Sequence, residues 1–251
     1  MIKRFIVIAL IFITYKSFAQ ETSLLLKEAT NLELKFKEPE ALAKYKEVLI
    51  IESNNYTALE KATILTCRIG ARTTVAKDKR LMFESALTFA NRAFKVDSTT
   101  ANSFYLLSLV SGKMTEVEDE NKKRIAYVRD TKLFADKALA INPNHGMANF
   151  IEGKWHYEMV TLNWAKRLAV KTLYGGLPEP SLEKCIEYLE KCKRLEPYFV
   201  LNYLTLAKAY KEDDKAVKMI EVLNQLVKLP KRTFDDIAYI EEGKKMLEDE
   251  K

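Results

Sequence analysis

The chain has 251 residues, 48% of them hydrophobic, and carries 41 Lys and Arg against 35 Asp and Glu, a formal net charge of +6. Three of the bases, Lys3, Arg4 and Lys16, fall in the first twenty positions; without them the excess is +3 with both signs interspersed, which excludes the clustered basic face that a phosphate backbone requires. Two histidines and three cysteines offer neither a zinc-ligand spacing nor a disulfide framework.

The chain opens with Lys3 and Arg4, an apolar run from Phe5 towards Thr14, and small residues at Ser17 and Ala19. That is the pattern of a cleaved export signal, and a run of about ten residues is half of what a bilayer-spanning helix needs. Residues 1–19 are therefore expected to be removed near Ala19-Gln20, leaving an exported, periplasmic or secreted protein that is not a transmembrane protein, with residues 20–251 as one domain. In that remainder Gly and Pro are scarce and no stretch alternates apolar and polar residues for long, which predicts an all-α chain.

Four segments of the chain end alike. Each is a helix tail followed by an acid or amide and then Ser or Pro, at Ser53, Ser98, Pro143 and Pro197. Five and twelve residues before each mark stands a small residue: Ala41 and Val48, Ala86 and Ala93, Thr131 and Ala138, Cys185 and Cys192. Small side chains at fixed offsets let two helices cross closely, and the pattern resembles the tetratricopeptide repeat, a helix-turn-helix unit of about 34 residues. The implied fold is a tetratricopeptide-like helical-hairpin solenoid. Cys185 and Cys192 become apolar fillers; two helical turns apart, about 10 Å along one face, they are beyond disulfide reach.

The first helices follow the same rule. Phe104, Leu107 and Ser108 fill the large and small positions after Ser98, and Tyr203, Leu206, Ala207 and Tyr210 fill them after Pro197; after Pro143 only Gly153 is in register. The units exceed the standard length, and the surplus is assigned to extended connections at 73–80, 111–123 and 170–180, the last broken by Gly175, Gly176 and two prolines. Helix starts are expected to suit the dipole at Glu116 to Glu120. A closing amphipathic helix from Phe234 to Leu247, with Ile237, Ile240 and Met246 inward, is expected to cap the stack.

One stretch is more specific than the repeat. Gly153-x-Trp155-x-Tyr157, then Trp164 with Arg167, Leu173-Tyr174, Pro178, Glu183-x-Cys185 and Tyr188-Leu189 resemble the regulator of microtubule dynamics family, over roughly 135–211. The resemblance implies tetratricopeptide-like repeats with an elongated penultimate unit, and no catalytic residues. Eukaryotic members are associated with microtubules or organelle membranes, which an exported chain would not meet, so the resemblance implies fold more than function.

Catalytic and metal chemistry have no motif to stand on. His145 and His156 do not form a zinc-protease pair, His145 being read as an exposed turn residue, and neither a nucleophile elbow nor a phosphate-cradling loop is present. No cofactor and no metal are therefore expected. Trp155 and Trp164 are read as wedges in the elongated unit. In tetratricopeptide arrays the partner-facing positions of the first helix follow the large and small residues, and the resemblance carries these onto Tyr105 and Leu109, Lys154 and Tyr157, and Leu204, Lys208 and Lys211. The expected function is a non-enzymatic protein-protein interaction scaffold of the cell envelope that binds an extended or acidic peptide through Tyr105, Leu109, Lys154, Tyr157 and Lys208. The alternative is a lipid or small-molecule carrier whose concavity is lined by Tyr105, Leu109 and Phe150.

Overall fold

Fully buried alanines recur every three or four residues along the longest helices, and this spacing sets the architecture. The structure is a computed structural model and describes residues 20–162 and 178–250. Among them are eleven helices and no strand: α1 (20–34), α2 (Glu38–Ile51), α3 (Tyr56–Arg72), α4 (Ala76–Val96), α5 (Ala101–Met114), α6 (Asn121–Ile141), α7 (Gly146–Thr161), α8 (Leu182–Leu195), α9 (Val200–Glu212), α10 (Ala216–Leu226) and α11 (Asp236–Glu248). They pair as hairpins α1/α2 to α9/α10. Each second helix packs on its own first helix and on the next one, while α3, α5, α7 and α9 lie side by side.

The repeat marks fall where the second helices end. Glu52, Asp97, Asn142 and Glu196 cap α2, α4, α6 and α8, and each cap N–H donates to the carbonyl of the predicted small residue four positions back: Val48, Ala93, Ala138 and Cys192. All eight predicted small positions are buried, seven of them completely and Thr131 at 8% exposure. After the first three marks the next helix starts on a side-chain cap, whereas α9 has none. Asn55 Oδ1 accepts from Ala58 N at 3.0 Å, Thr100 Oγ1 from Ser103 N at 3.3 Å and His145 Nδ1 from Ala148 N at 3.1 Å, each satisfying an amide that the helix itself cannot. His145 is thus a half-buried cap rather than an exposed turn residue.

Glycines stand at close crossings. A Cβ on Gly153 would stand 2.6 Å from Leu189 Cδ2 and 3.1 Å from the Cys185 carbonyl, and one on Gly70 would stand 2.7 Å from the Phe83 ring. Gly153 is therefore a crossing point of α7 on α8, as its register predicts. Trp155 wedges behind it, 2% exposed, with Nε1 donating to the Val128 carbonyl at 3.1 Å. Trp164 and the Gly175-Gly176 break lie outside the described residues, as do residues 1–19.

Two expectations are corrected. The surplus length of the second and third units is mostly in helices: the link before α4 is three residues long and residues 115–120 join α5 to α6, while α4 and α6 each run to 21 residues. In the closing helix Ile240 is buried and Met246 half-buried, but Ile237 is 42% exposed. Gly243 and Ile240, three residues apart, define the buried stripe, and a Cβ on Gly243 would meet Leu226 of α10 at 2.6 Å.

Candidate functional site

The first helices α3, α5, α7 and α9 enclose a cavity of about 170 Å³ on the inner face of the array. Its floor is apolar. Ile64, Leu109, Met147, Phe150, Ile151 and Leu201 line it, and Phe150 meets Phe199 edge-on with centroids 4.8 Å apart. Tyr105 stands at its side, 4% exposed, its ring 5.2 Å from the His145 imidazole. Burial pushes the Tyr105 phenol well above its usual range, so it serves as a neutral wall and not as an acid.

The rim is charged. Arg68, Lys113 and Lys154 face Glu116, Glu158 and Asp235 around the opening. Lys113 pairs with Glu116 at 2.7 Å, Arg68 with Glu38 at 3.5 Å, and Lys154 with Glu158 one turn on. Every one of these cations thus already has a carboxylate within reach. Burial works against the Lys113 charge, and Glu116 beside it more than compensates, so its pKa is raised.

A further wall comes from the far end of the chain. Thr233, Asp235, Asp236 and Tyr239, at the start of α11, line the same cavity. Arg72, at the end of α3, donates to Asp235 at 2.8 Å across 163 residues of chain, and its guanidinium lies 5.0 Å over the Phe234 ring. Arg72 also pairs with Glu38, whose side chain is only 4% exposed. Further along, Lys208 of α9 pairs with Glu242 at 2.7 Å and Lys211 with Glu250 at 3.2 Å. α11 caps the stack by packing on α9 and α10, and its start, with the turn before it, also reaches across the inner face to α3.

Of the five predicted contact residues, Tyr105, Leu109 and Lys154 meet in the cavity, together with Phe150. Tyr157 and Lys208 do not line it. Tyr157 is half-buried against the core, and Lys208 lies at the α9–α11 contact. Arg68, Arg72 and Lys113 were missed. The one signal for the first two was their four-residue spacing, which places both on one face of α3.

Two other groups of reactive side chains are packing features. Glu152 is completely buried between α6 and α7, with Lys132 at 3.0 Å, and burial pushes its carboxyl up to about 7. His156 accepts from Ser181 N at 3.2 Å and stacks on Tyr188, and burial lowers it to about 4. The thiols of Cys67, Cys185 and Cys192 are all free and buried. Burial pushes Cys67 and Cys185 up to about 12 and Cys192 in the same direction, so none is a thiolate at neutral pH. No group of three or more metal-ligating side chains occurs among the described residues.

The family model described as "Regulator of microtubule dynamics protein 1-3" matches residues 25–251. The chain belongs to the regulator of microtubule dynamics family. It is 27% identical over 142 residues to regulator of microtubule dynamics protein 1 of Pongo abelii, covering 55% of this chain and 44% of that protein. With protein 3 of Bos taurus it shares 26% over 165 residues, 65% of this chain and 35% of the relative. The chain thus spans less than half the length of these relatives. Among solved structures it superposes on a thermophilic TPR protein of Thermus thermophilus with a TM-score of 0.64 and 12% identity, covering 88% of this chain and 98% of that one. The fold is therefore a tetratricopeptide-type solenoid.

These relatives correct the expectation of an exported, periplasmic or secreted protein of the cell envelope. They are animal proteins named for regulating microtubules, which are intracellular polymers, and the family match extends over nearly the whole chain. Among the described residues no helix is long and apolar enough to cross a membrane.

Proposed function

We propose that the chain is a non-enzymatic scaffold that holds a segment of a partner protein on the inner face formed by α3, α5, α7 and α9. The observation that carries this reading is the convergence of Tyr105, Leu109 and Lys154, from two successive first helices, on one apolar-floored cavity with a charged rim. Such a surface offers a pocket for one or two anchor side chains and cations for their flanks, which is how a few residues supply most of an interface's energy. Tyr157 and Lys208 extend the contact along α7 and α9. The family's name, drawn from the regulation of a protein polymer, is in keeping with a protein as the partner.

A lipid or small-molecule carrier is the weaker reading. Pockets for drug-sized ligands hold roughly 300 to 1,000 Å³, and this cavity holds about 170 Å³. The test is photo-crosslinking in cells from p-benzoylphenylalanine placed at Leu109 or Tyr157, against Ile50, an 83% exposed position on α2. One protein captured from 109 and 157 and absent from 50 supports the proposal. Capture from 50 alone, or a lipid co-purifying at one equivalent with no protein captured, overturns it.

A further inference from the structure

We infer that the partner segment is an acidic helix bearing an aromatic residue near its start, and that α11 is the chain's own stand-in for it, so that a partner must displace α11 to bind. This rests on the inner face being the partner site, and it adds the chemistry of the occupant and the regulation of access.

The charges are matched along the face. Arg72 of α3 and Lys208 and Lys211 of α9 present the cations that meet α11 and its flanks, whereas Arg68, Lys113 and Lys154 pair with Glu38, Glu116 and Glu158. The segment 233–250 is acidic, with Asp235, Asp236, Glu241, Glu242, Glu248, Asp249 and Glu250 against Lys244 and Lys245. Three of these reach across: Asp235 to Arg72, Glu242 to Lys208 and Glu250 to Lys211. The aromatic anchors are Phe234, under the Arg72 guanidinium at 5.0 Å, and Tyr239, which walls the cavity.

This seat is held in two different ways. Along α9 and α10 the helix buries Ile240 and Gly243, whose missing Cβ accommodates Leu226. At the α3 end the attachment is an ion pair and a cation–π contact, with Phe234 still 51% exposed. Partly exposed pairs of this kind are worth little each and weaken with salt. The far end of α11 is thus the first part to yield. A tethered segment competes at an effective concentration in the millimolar range, so an untethered ligand of the same chemistry binds well only once the tethered one is loosened.

The reporter is Cys67, which lines the cavity at 2% exposure, with Cys185 and Cys192 as completely buried controls away from it. The probe is a fluorescein-labelled peptide of residues 233–250, added to the full chain and to its Asp235→Lys, Glu242→Lys double variant. The expected result is at least tenfold tighter peptide binding by the variant and at least tenfold faster maleimide labelling of Cys67, with Cys185 and Cys192 still slow. Adding Lys208→Glu is expected to abolish peptide binding. A variant whose Cys67 opens but which binds the peptide no better than the wild type overturns the assigned occupant, and unchanged Cys67 labelling overturns the latch. Should all three thiols react, the double variant has unfolded and the unaltered chain decides. At millimolar unlabelled peptide, amide exchange is expected to rise several-fold in 236–248 and in no other helix, and no rise there refutes the proposal. The peptide assay needs no cellular partner, so it can fail while crosslinking at Leu109 succeeds, or the reverse.

Discussion

Replacing Gly153 by Ala tests the helix crossing that shapes the fourth hairpin. The added methyl would stand 2.6 Å from both Leu189 Cγ and Cδ2 and 3.1 Å from the Cys185 carbonyl. Carbon atoms settle at roughly 3.5 to 4.0 Å, so the overlap is about 1 Å against a completely buried leucine and a helix backbone, neither of which has room to yield. Overpacking of this order costs about 1 to 3 kcal/mol, and the better helix propensity of Ala returns about 1 kcal/mol. Gly112→Ala is the matched control. A Cβ there meets nothing closer than Thr131 at 3.7 Å, so only the propensity gain remains. Equilibrium urea unfolding should therefore rank Gly112→Ala at or above the wild type and Gly153→Ala below it, with the two variants about 2 kcal/mol apart, or about 4 to 8 °C in Tm for a chain of this size. A Gly153→Ala protein as stable as Gly112→Ala would refute the close crossing of α7 and α8.

Three further expectations follow from the same packing. The buried Glu152 carboxyl, raised from about 4.5 to about 7, binds its proton more tightly when folded; its stabilising contribution is therefore complete below pH 4.5 and is lost as pH rises through 7. Glu152→Gln, which imitates the protonated acid, should gain on the wild type by on the order of 3 kcal/mol between pH 4.5 and 7 in unfolding titrations, and parallel pH profiles would contradict it. His156 has the opposite sign: lowered from 6.5 to about 4, its contribution is full above pH 6.5 and is lost as pH falls through 4, so in the Glu152→Gln protein this group should raise stability between pH 4 and 6.5 and leave it level above that. Asn55→Ala removes the cap on the Ala58 amide and should cost about 1 kcal/mol by the same assay, whereas Asn55→Asp should be near neutral.

The helix crossings were readable because they depend on side-chain size at a fixed offset from a turn. Ala86, Ala93 and Cys192 are small where two helices touch, and no longer-range information is needed to see it. The same locality explains what was misread. The extra residues of the second and third units lie mostly in α4 and α6, because Ala76 to Phe83 and Asn121 to Thr131 continue the helix they join, and a charged stretch reads as loop or as solvated helix alike. Tyr105, Leu109 and Lys154 share one cavity because position within the repeat sets the face a residue occupies. What that rule cannot supply is curvature. Asp235 meets Arg72 only because the hairpins wind far enough to bring the last helix over the first ones, and no local period records that winding. Ile237 was placed inward for the same reason, on the assumption of a flat end-cap, when the stripe that packs is Ile240 with Gly243. Lys208 occupies the anticipated position on α9 and pairs there with Glu242 of the same chain.

The start of α11 is tied to α3 across the inner face. A double-mutant cycle on Arg72 and Asp235, using Arg72→Met and Asp235→Asn, tests it most directly, because residues 163 apart in sequence couple energetically only where the fold closes them together. The expected coupling is about 1 kcal/mol, within the range for paired charges in contact. Additivity to within about 0.3 kcal/mol would place α11 elsewhere and contradict the account.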